Sequence, residues 1–352
     1  MPELRQSRFT KEWVIISTER AKRPEDLKVD RASEAVPEFV TTCPFCPGNE
    51  AKTPPESMRV PAGNRDWQVR VVPNKFPVLM REGTTEWRVE RSRHSVGGFG
   101  MHDVIIETPN HALTMALLPV AHVEIIIQTY KECFARLSAD PRIAHVVIFK
   151  NHGAGAGTSL AHPHSQVVGT PIVSSMVRAR MYEAMRHHDE YGECVVCAVL
   201  GDELQDRSRV IAETQHFVAV APFASATPFS MSIIPRRHMA SFGDISSTEV
   251  KDLSRVLHDM LARLYFGLNN PDFNYTIITA PAENAGVKYY HWYMSIVPRL
   301  TQVAGFELGS GILVNTVQPE RAAEFMRGVN WEEAAAARQP GQSTPSAQAQ
   351  PI

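Results

Sequence analysis

The chain has 352 residues, 43% of them hydrophobic, enough for two domains of ordinary size with a substantial core. Its 36 basic and 38 acidic side chains leave a formal charge of -2, so no overall positive field is available to hold nucleic acid or an anionic membrane surface, and small-molecule partners are expected. No run of about 18 apolar residues occurs and residues 1–5 do not open a signal sequence, which predicts a globular, cytoplasmic protein with no membrane segment.

Residues 26–36 and 50–65 are polar and proline-containing and read as surface connections on either side of Cys43-Pro44-Phe45-Cys46. Strand composition follows at Val69–Val72 and His102–Glu107, helical periodicity over 119–138, and a β-branched run at His145–Lys150 that leads into a glycine-rich loop. The second half repeats this order. Phe217–Ala221 and Met231–Pro235 are strand-like, Ser247–Gly267 is an amphipathic helix capped by Ser246 or Ser247, and Asn274–Thr279 and Tyr293–Val297 are strands. From about Glu333 the chain is rich in Ala, Gln, Pro and Ser with few large apolar side chains, and reads as a disordered tail over 333–352.

The two halves share a punctuation. Cys43/Cys46, His111 and His162 mark the first, and Cys194/Cys197, His238 and His291 the second, with mid-to-late histidine spacings of 51 and 53 residues. Two copies of one α+β unit are the simplest explanation, with boundaries at 1–175 and 176–332. A Cys-x-x-Cys turn with two imidazoles is a tetrahedral Zn²⁺ set, and four protein ligands leave no open position. Two structural zinc sites are therefore expected, Cys43, Cys46, His111 and His162 in one, Cys194, Cys197, His238 and His291 in the other. Cys133 is left over as a buried helix residue.

The segment Phe149 to Ser159 carries glycines that let backbone amides approach a phosphate. Beyond it, alternation in Ala161-His162-Pro163-His164-Ser165-Gln166 puts His162, His164 and Gln166 on one face. His162 there fixes the strand as a metal ligand. His164 is the candidate nucleophile, because an imidazole attacks phosphorus at neutral pH and its phosphoramidate passes the group onward. Gln166 and Ser159 can donate to the non-bridging oxygens, and Arg20 and Arg23 can neutralise phosphate charge. The position matching His164 in the second copy is Tyr293, so one catalytic centre per chain is expected.

These motifs, with Glu19-Arg20-Ala21-Lys22-Arg23-Pro24, Val72-Pro73-Asn74 and His291-Trp292, make the chain similar to the galactose-1-phosphate uridylyltransferase family of the histidine-triad superfamily, from Arg8 to about Arg327. The resemblance implies two fused histidine-triad-like units, each an antiparallel half-barrel sheet with packed helices. It also implies a ping-pong reaction in which His164 takes UMP from UDP-glucose and gives it to galactose 1-phosphate. By position, Arg20, Arg23, Asn74, Asn151, Gly157, Ser159 and Gln166 match the family's phosphate contacts, and Glu307 its hexose contact.

Three features resemble instead the relatives that act as ADP-glucose:phosphate adenylyltransferases. Ser165 replaces a glycine, the second metal set is Cys-Cys-His-His where the family uses a carboxylate with histidines, and the segment after Ala304 lacks the family's glutamine. The adenylyl reaction through the same intermediate is the main alternative, ahead of a histidine-triad hydrolase and of a zinc-stabilised nucleotide-binding protein without turnover. Open edges of half-barrels also suggest a homodimer.

Overall fold

The computed structural model describes residues 1–17, 27–29, 36–63 and 66–337. The first half runs β1 (Glu3–Gln6), β2 (Trp13–Ile16), β3 (Met58–Val60), β4 (Val69–Pro73), β5 (Trp87–Glu90), β6 (Arg93–Val96), β7 (Met101–Ile106), α1 (Val120–Ser138), β8 (His145–His152) and β9 (His164–Thr170). The second continues with α2 (Ser175–Tyr191), α3 (Val195–Asp206), β10 (Val210–Glu213), β11 (Phe217–Val220), β12 (Met231–Pro235), α4 (Ser247–Gly267), β13 (Phe273–Ile278) and β14 (Tyr293–Pro298). The chain then forms α5 (Gly305–Ser310), β15 (Leu313–Asn315), α6 (Pro319–Gly328) and α7 (Trp331–Ala337).

Ten strands make one antiparallel sheet in the order β10-β11-β12-β14-β13-β8-β9-β7-β4-β3. Outward from the β8/β13 seam, both halves place their fourth, fifth, third, second and first strands in the same succession. The α+β expectation holds, with one difference: the two expected sheets are continuous, because β13 pairs β8 from Phe273↔His152 to Ile277↔Ile148. A separate sheet, β1-β2-β15, ties the two ends of the described chain together.

Alternation decides what each face of the sheet meets. Val71, Ile105, Ile148, Val167, Ile233 and Ile277 point to a core shared with α1 and α4. α1 contributes Val123, Ile126, Ile127, Tyr130, Phe134 and Leu137 at helical spacing, and α4 starts on a capping box between Ser246 and Glu249. The other face of the second half is covered by α2 and α3, packing Val177, Met181, Val195, Val196 and Leu200 on Val218, Val220 and Ile234. That of the first half carries the Cys43–Cys46 turn over Val72, Val104 and Ile106. Cys133 is buried in α1 as expected, and burial pushes its thiol up to about 12.

Two readings change. Within the 50–65 connection, Met58–Val60 forms edge strand β3 on β4. Residues 333–337, expected in a tail, belong to α7, which Trp331 docks by donating from Nε1 to Asp259 Oδ1 at 2.7 Å and by an edge contact with His258. The remainder, 338–352, lies outside the described residues, as do Arg20 and Arg23. Among the described residues, no helix is long and apolar enough to cross a membrane.

Candidate functional site

Both Cys/His sets assemble, each with its four ligand atoms within 4.8 Å of one another. In the first, His162 Nδ1 lies 3.7 Å from Cys43 Sγ, 3.6 Å from Cys46 Sγ and 3.2 Å from His111 Nδ1. A tetrahedral ion with bonds of about 2.3 Å to sulfur and 2.0 Å to nitrogen needs edges of about 3.5 Å, so this set fits one ion. His162 Nε2 donates to Thr108 O at 2.8 Å, which leaves the Nδ1 lone pair facing the cluster. In the second set Cys197 Sγ is 3.4 Å from His238 Nδ1 and 3.3 Å from His291 Nδ1. Among the described residues His291 Nε2 has no hydrogen-bond partner, while the His238 ring is held by a backbone hydrogen bond with Val287, so each set has one histidine supported from outside.

The first Cys/His set abuts a cavity of about 410 Å³, lined by His162, His164, Asn151, Gly153, Thr158 and Ser159 among others. His164 opens β9, and its ring packs edge-on against Phe45 with centroids 5.4 Å apart. Its Nδ1 lies 2.8 Å from His162 O. A carbonyl only accepts, so Nδ1 carries the proton and Nε2 keeps its lone pair. Burial also lowers the pKa of His164, which favours the neutral ring.

Two amides flank this imidazole on the same face of the sheet. Asn151, on β8, accepts at Oδ1 from Asn274 Nδ2 at 2.8 Å across the seam. Gln166, two residues beyond His164, lies 2.8 Å by Oε1 from His102 Nε2, and Asn74 Nδ2 is 3.0 Å from that nitrogen. The glycine loop differs from expectation. Gly153 has φ +83°, Gly157 ends the turn at φ +86°, and Gly155 N donates to Asp272 Oδ2 at 2.5 Å. A Cβ at Gly153 would collide with that carboxylate. The Gly155 amide is thus committed to a protein anion and is not presented to a phosphate.

On the opposite face, directly behind His164, lies a buried polar network. Lys150 Nζ donates to Glu107 Oε2 at 2.5 Å and to the His164 carbonyl at 3.2 Å. Ser165 Oγ bonds the other Glu107 oxygen, and Tyr130 joins Ser165 to Tyr275, its OH 2.5 Å from the Tyr275 OH. Lys150, Glu107, Ser165, Tyr130 and Tyr275 are all essentially inaccessible to solvent. Burial raises both phenols well above their ordinary range, so they remain protonated donors.

Of the sequence-predicted site residues, the structure thus gathers His164, Asn151 and Ser159 at the cavity. Gln166 and Asn74 meet at His102 farther along the same face. Gly157 terminates the adjoining turn. Glu307 accepts from the Ala304 amide at 3.0 Å, in the first turn of α5, and is not among the cavity's lining residues. Sequence reasoning missed His102, Glu107, Lys150, Asp272 and Asn274. Lys150 carried a signal, since a lysine inside the β-branched run His145–Lys150 requires a buried partner.

Comparison with known proteins adds a family. The family model described as the N-terminal domain of galactose-1-phosphate uridyl transferase matches residues 1–174, and a domain of unknown function matches 99–336. The chain is 37% identical over 333 residues to ADP-glucose phosphorylase from Arabidopsis thaliana, covering 94% of this chain and 93% of the relative. It is 26% identical over 337 residues to galactose-1-phosphate uridylyltransferase from Thermotoga maritima, covering 93% and 98%. The crystal structure of the Arabidopsis ADP-glucose phosphorylase with bound ADP-glucose superposes with a TM-score of 0.81 at 36% identity, over 94% of this chain and 99% of that one.

Proposed function

The chain belongs to the galactose-1-phosphate uridylyltransferase family of nucleotidyltransferases, and from that premise we propose that it transfers AMP from ADP-glucose to inorganic phosphate through a covalent bond to His164. The observation that carries the transfer chemistry is the His162 carbonyl on His164 Nδ1, which directs a nucleophilic Nε2 lone pair to the cavity side. Nε2 attacks the α-phosphorus. The bond from that phosphorus to the bridging oxygen breaks, and glucose 1-phosphate leaves as a weak base that needs no acid. The ring, still protonated at Nδ1, becomes cationic and is stabilised by the His162 carbonyl. A phosphate oxygen then attacks, the N–P bond breaks with its electrons returning to Nε2, and ADP departs.

Gln166, Asn151 and Ser159 serve as donors to the non-bridging oxygens, with Asn74 beside them and Arg20 and Arg23 countering phosphate charge. The metal sets are read as structural zinc, each tying a peripheral Cys-x-x-Cys turn to a late histidine. The repeated strand order supports two histidine-triad-like units, 1–175 and 176–332, of which the second acts as scaffold.

Greater identity to an ADP-glucose phosphorylase, 37% against 26%, favours the adenylyl donor and phosphate acceptor. The uridylyl reading, UDP-glucose with galactose 1-phosphate, was the sequence's first expectation and is supported by the N-terminal family match. The test presents α-³²P ADP-glucose and α-³²P UDP-glucose separately, without acceptor and then with phosphate or galactose 1-phosphate. One acid-labile label per chain from ADP-glucose, absent in His164→Asn and discharged by phosphate as ADP, is expected. Preferential labelling by UDP-glucose discharged by galactose 1-phosphate transfers the conclusion to the uridylyl reaction, and no label from either donor refutes covalent transfer.

A further inference from the structure

We infer that His102 and Asn274 are positioning residues that set the polarity of the two amides flanking His164, so that Gln166 and Asn151 both present NH₂ donors to the phosphate being transferred. The inference rests on the proposed reading of Gln166 and Asn151 as phosphate donors.

Each chain of hydrogen bonds begins at a group whose direction is fixed. The Val78 backbone N–H lies 3.2 Å from His102 Nδ1 and can only donate, so Nδ1 holds a lone pair and the neutral ring carries its proton on Nε2. That proton requires an acceptor. Asn74 cannot supply one, because its Oδ1 already accepts from the Phe76 amide at 2.9 Å; its NH₂, 3.0 Å from the same ring nitrogen, is a second donor there and makes no hydrogen bond to the protonated Nε2. Gln166 Oε1, at 2.8 Å, does. The oxygen of Gln166 is consumed, and its NH₂ is left as the free end.

The second chain starts at Arg299, whose Nε–H donates to Asn274 Oδ1 at 2.5 Å. Asn274 must then donate through Nδ2, which it does to Asn151 Oδ1 at 2.8 Å and to the Ala156 carbonyl at 2.9 Å. Asn151 is left, like Gln166, with NH₂ as its free end. A reversed amide would turn a carbonyl oxygen on an anionic phosphate and exchange attraction for repulsion. The 6% exposure of His102 and the seam position of Asn274 place both behind the amides they orient.

The test is a double-mutant cycle on the metal-replete full chain, reading the single-turnover rate of His164 nucleotidylation and KM for ADP-glucose. Gln166→Ala is expected to slow nucleotidylation about 100-fold. His102→Leu should slow it about 10- to 100-fold with KM changed less than about 3-fold, and His102→Gln, which restores an N–H near the Nε2 position, should recover most of the rate. The double variant His102→Leu/Gln166→Ala should be no slower than Gln166→Ala alone, because His102 acts only through that amide. Asn274→Leu should behave likewise toward Asn151→Ala. If Gln166→Ala leaves the rate unchanged, the underlying reading of the site is what fails. If Gln166→Ala is slow but the His102 effect multiplies with it, or His102→Leu and His102→Gln both match the parent, the positioning role itself is overturned.

Discussion

Removing the charge on Lys150 isolates what the network behind His164 contributes. Lys150→Met keeps the length of the side chain but deletes the donor to Glu107 Oε2 at 2.5 Å and to the His164 carbonyl at 3.2 Å. Glu107 is fully buried, so its carboxylate would be left with only the Ser165 and Tyr130 hydroxyls as neutral donors. Breaking one side of a buried ion pair costs about 3–5 kcal/mol, far above the ~1 kcal/mol of an exposed pair. Neutralising both sides with Lys150→Met/Glu107→Gln removes the stranded charge, so the double variant should be more stable than Lys150→Met by about 2 kcal/mol or more. Urea unfolding of metal-replete protein, followed by circular dichroism, gives these differences directly. A loss under about 1 kcal/mol in Lys150→Met, or a double variant whose cost equals the sum of the two singles, would show that the pair does not behave as a desolvated ion pair.

Two further outcomes follow from the metal sets and from α4. Cys46→Ser, which removes a sulfur close to both His111 and His162, should reduce bound zinc from two ions per chain to one, and Cys197→Ser should do the same independently; elemental analysis showing one ion or none in the parent contradicts the paired sites. Glu249, at the N-terminus of α4, is held down to about 2 chiefly by its hydrogen bonds from Arg237, with its side chain only 4% exposed. A carboxyl with a depressed folded-state pKa stabilises above its unfolded value, and the contribution is lost as pH falls from about 4.5 to about 2. Thermal melts should therefore find Glu249→Gln less stable than the parent by up to about 3 kcal/mol at pH 7, with the gap closing over that acid window. A gap that stays constant with pH rules out the electrostatic origin.

What the sequence disclosed and what it withheld divide along chain separation. The Cys-x-x-Cys turns, the His162-to-Gln166 alternation and the Ser246 cap are local patterns, and each was legible because a few neighbouring residues already fix the geometry. His102 and Gln166 are 64 residues apart, Glu107 and Lys150 43, and Asn151 and Asn274 123, and their meeting depends on strand order and register that no local window carries. α2 escaped notice because it buries only Val177, Met181, Ala184 and His187, a stripe too narrow to stand out in a polar segment. Cys194 is the N-cap of α3 and Cys197 lies in its first turn, so the residues read for metal also serve as a helix start. α7 is decided by Trp331 reaching Asp259 and His258, which the alanine-rich composition of 333–337 does not reveal.

The repeat itself needed both sources. Sequence aligned His164 with Tyr293, and the sheet order now gives the two positions equivalent places, each opening the strand second from the seam. Their surroundings are not equivalent. His164 lines a cavity of about 410 Å³, whereas Tyr293, as buried as His164, packs on Phe9 with ring centroids 5.3 Å apart beside a void of only about 20 Å³, and burial raises its pKa. The chain's own N-terminal segment therefore occupies, in the second half, the face that the first half leaves open beside its imidazole. Restoring a histidine by Tyr293→His would supply the ring without the space in front of it, which is why a second centre of transfer is not expected from that substitution alone.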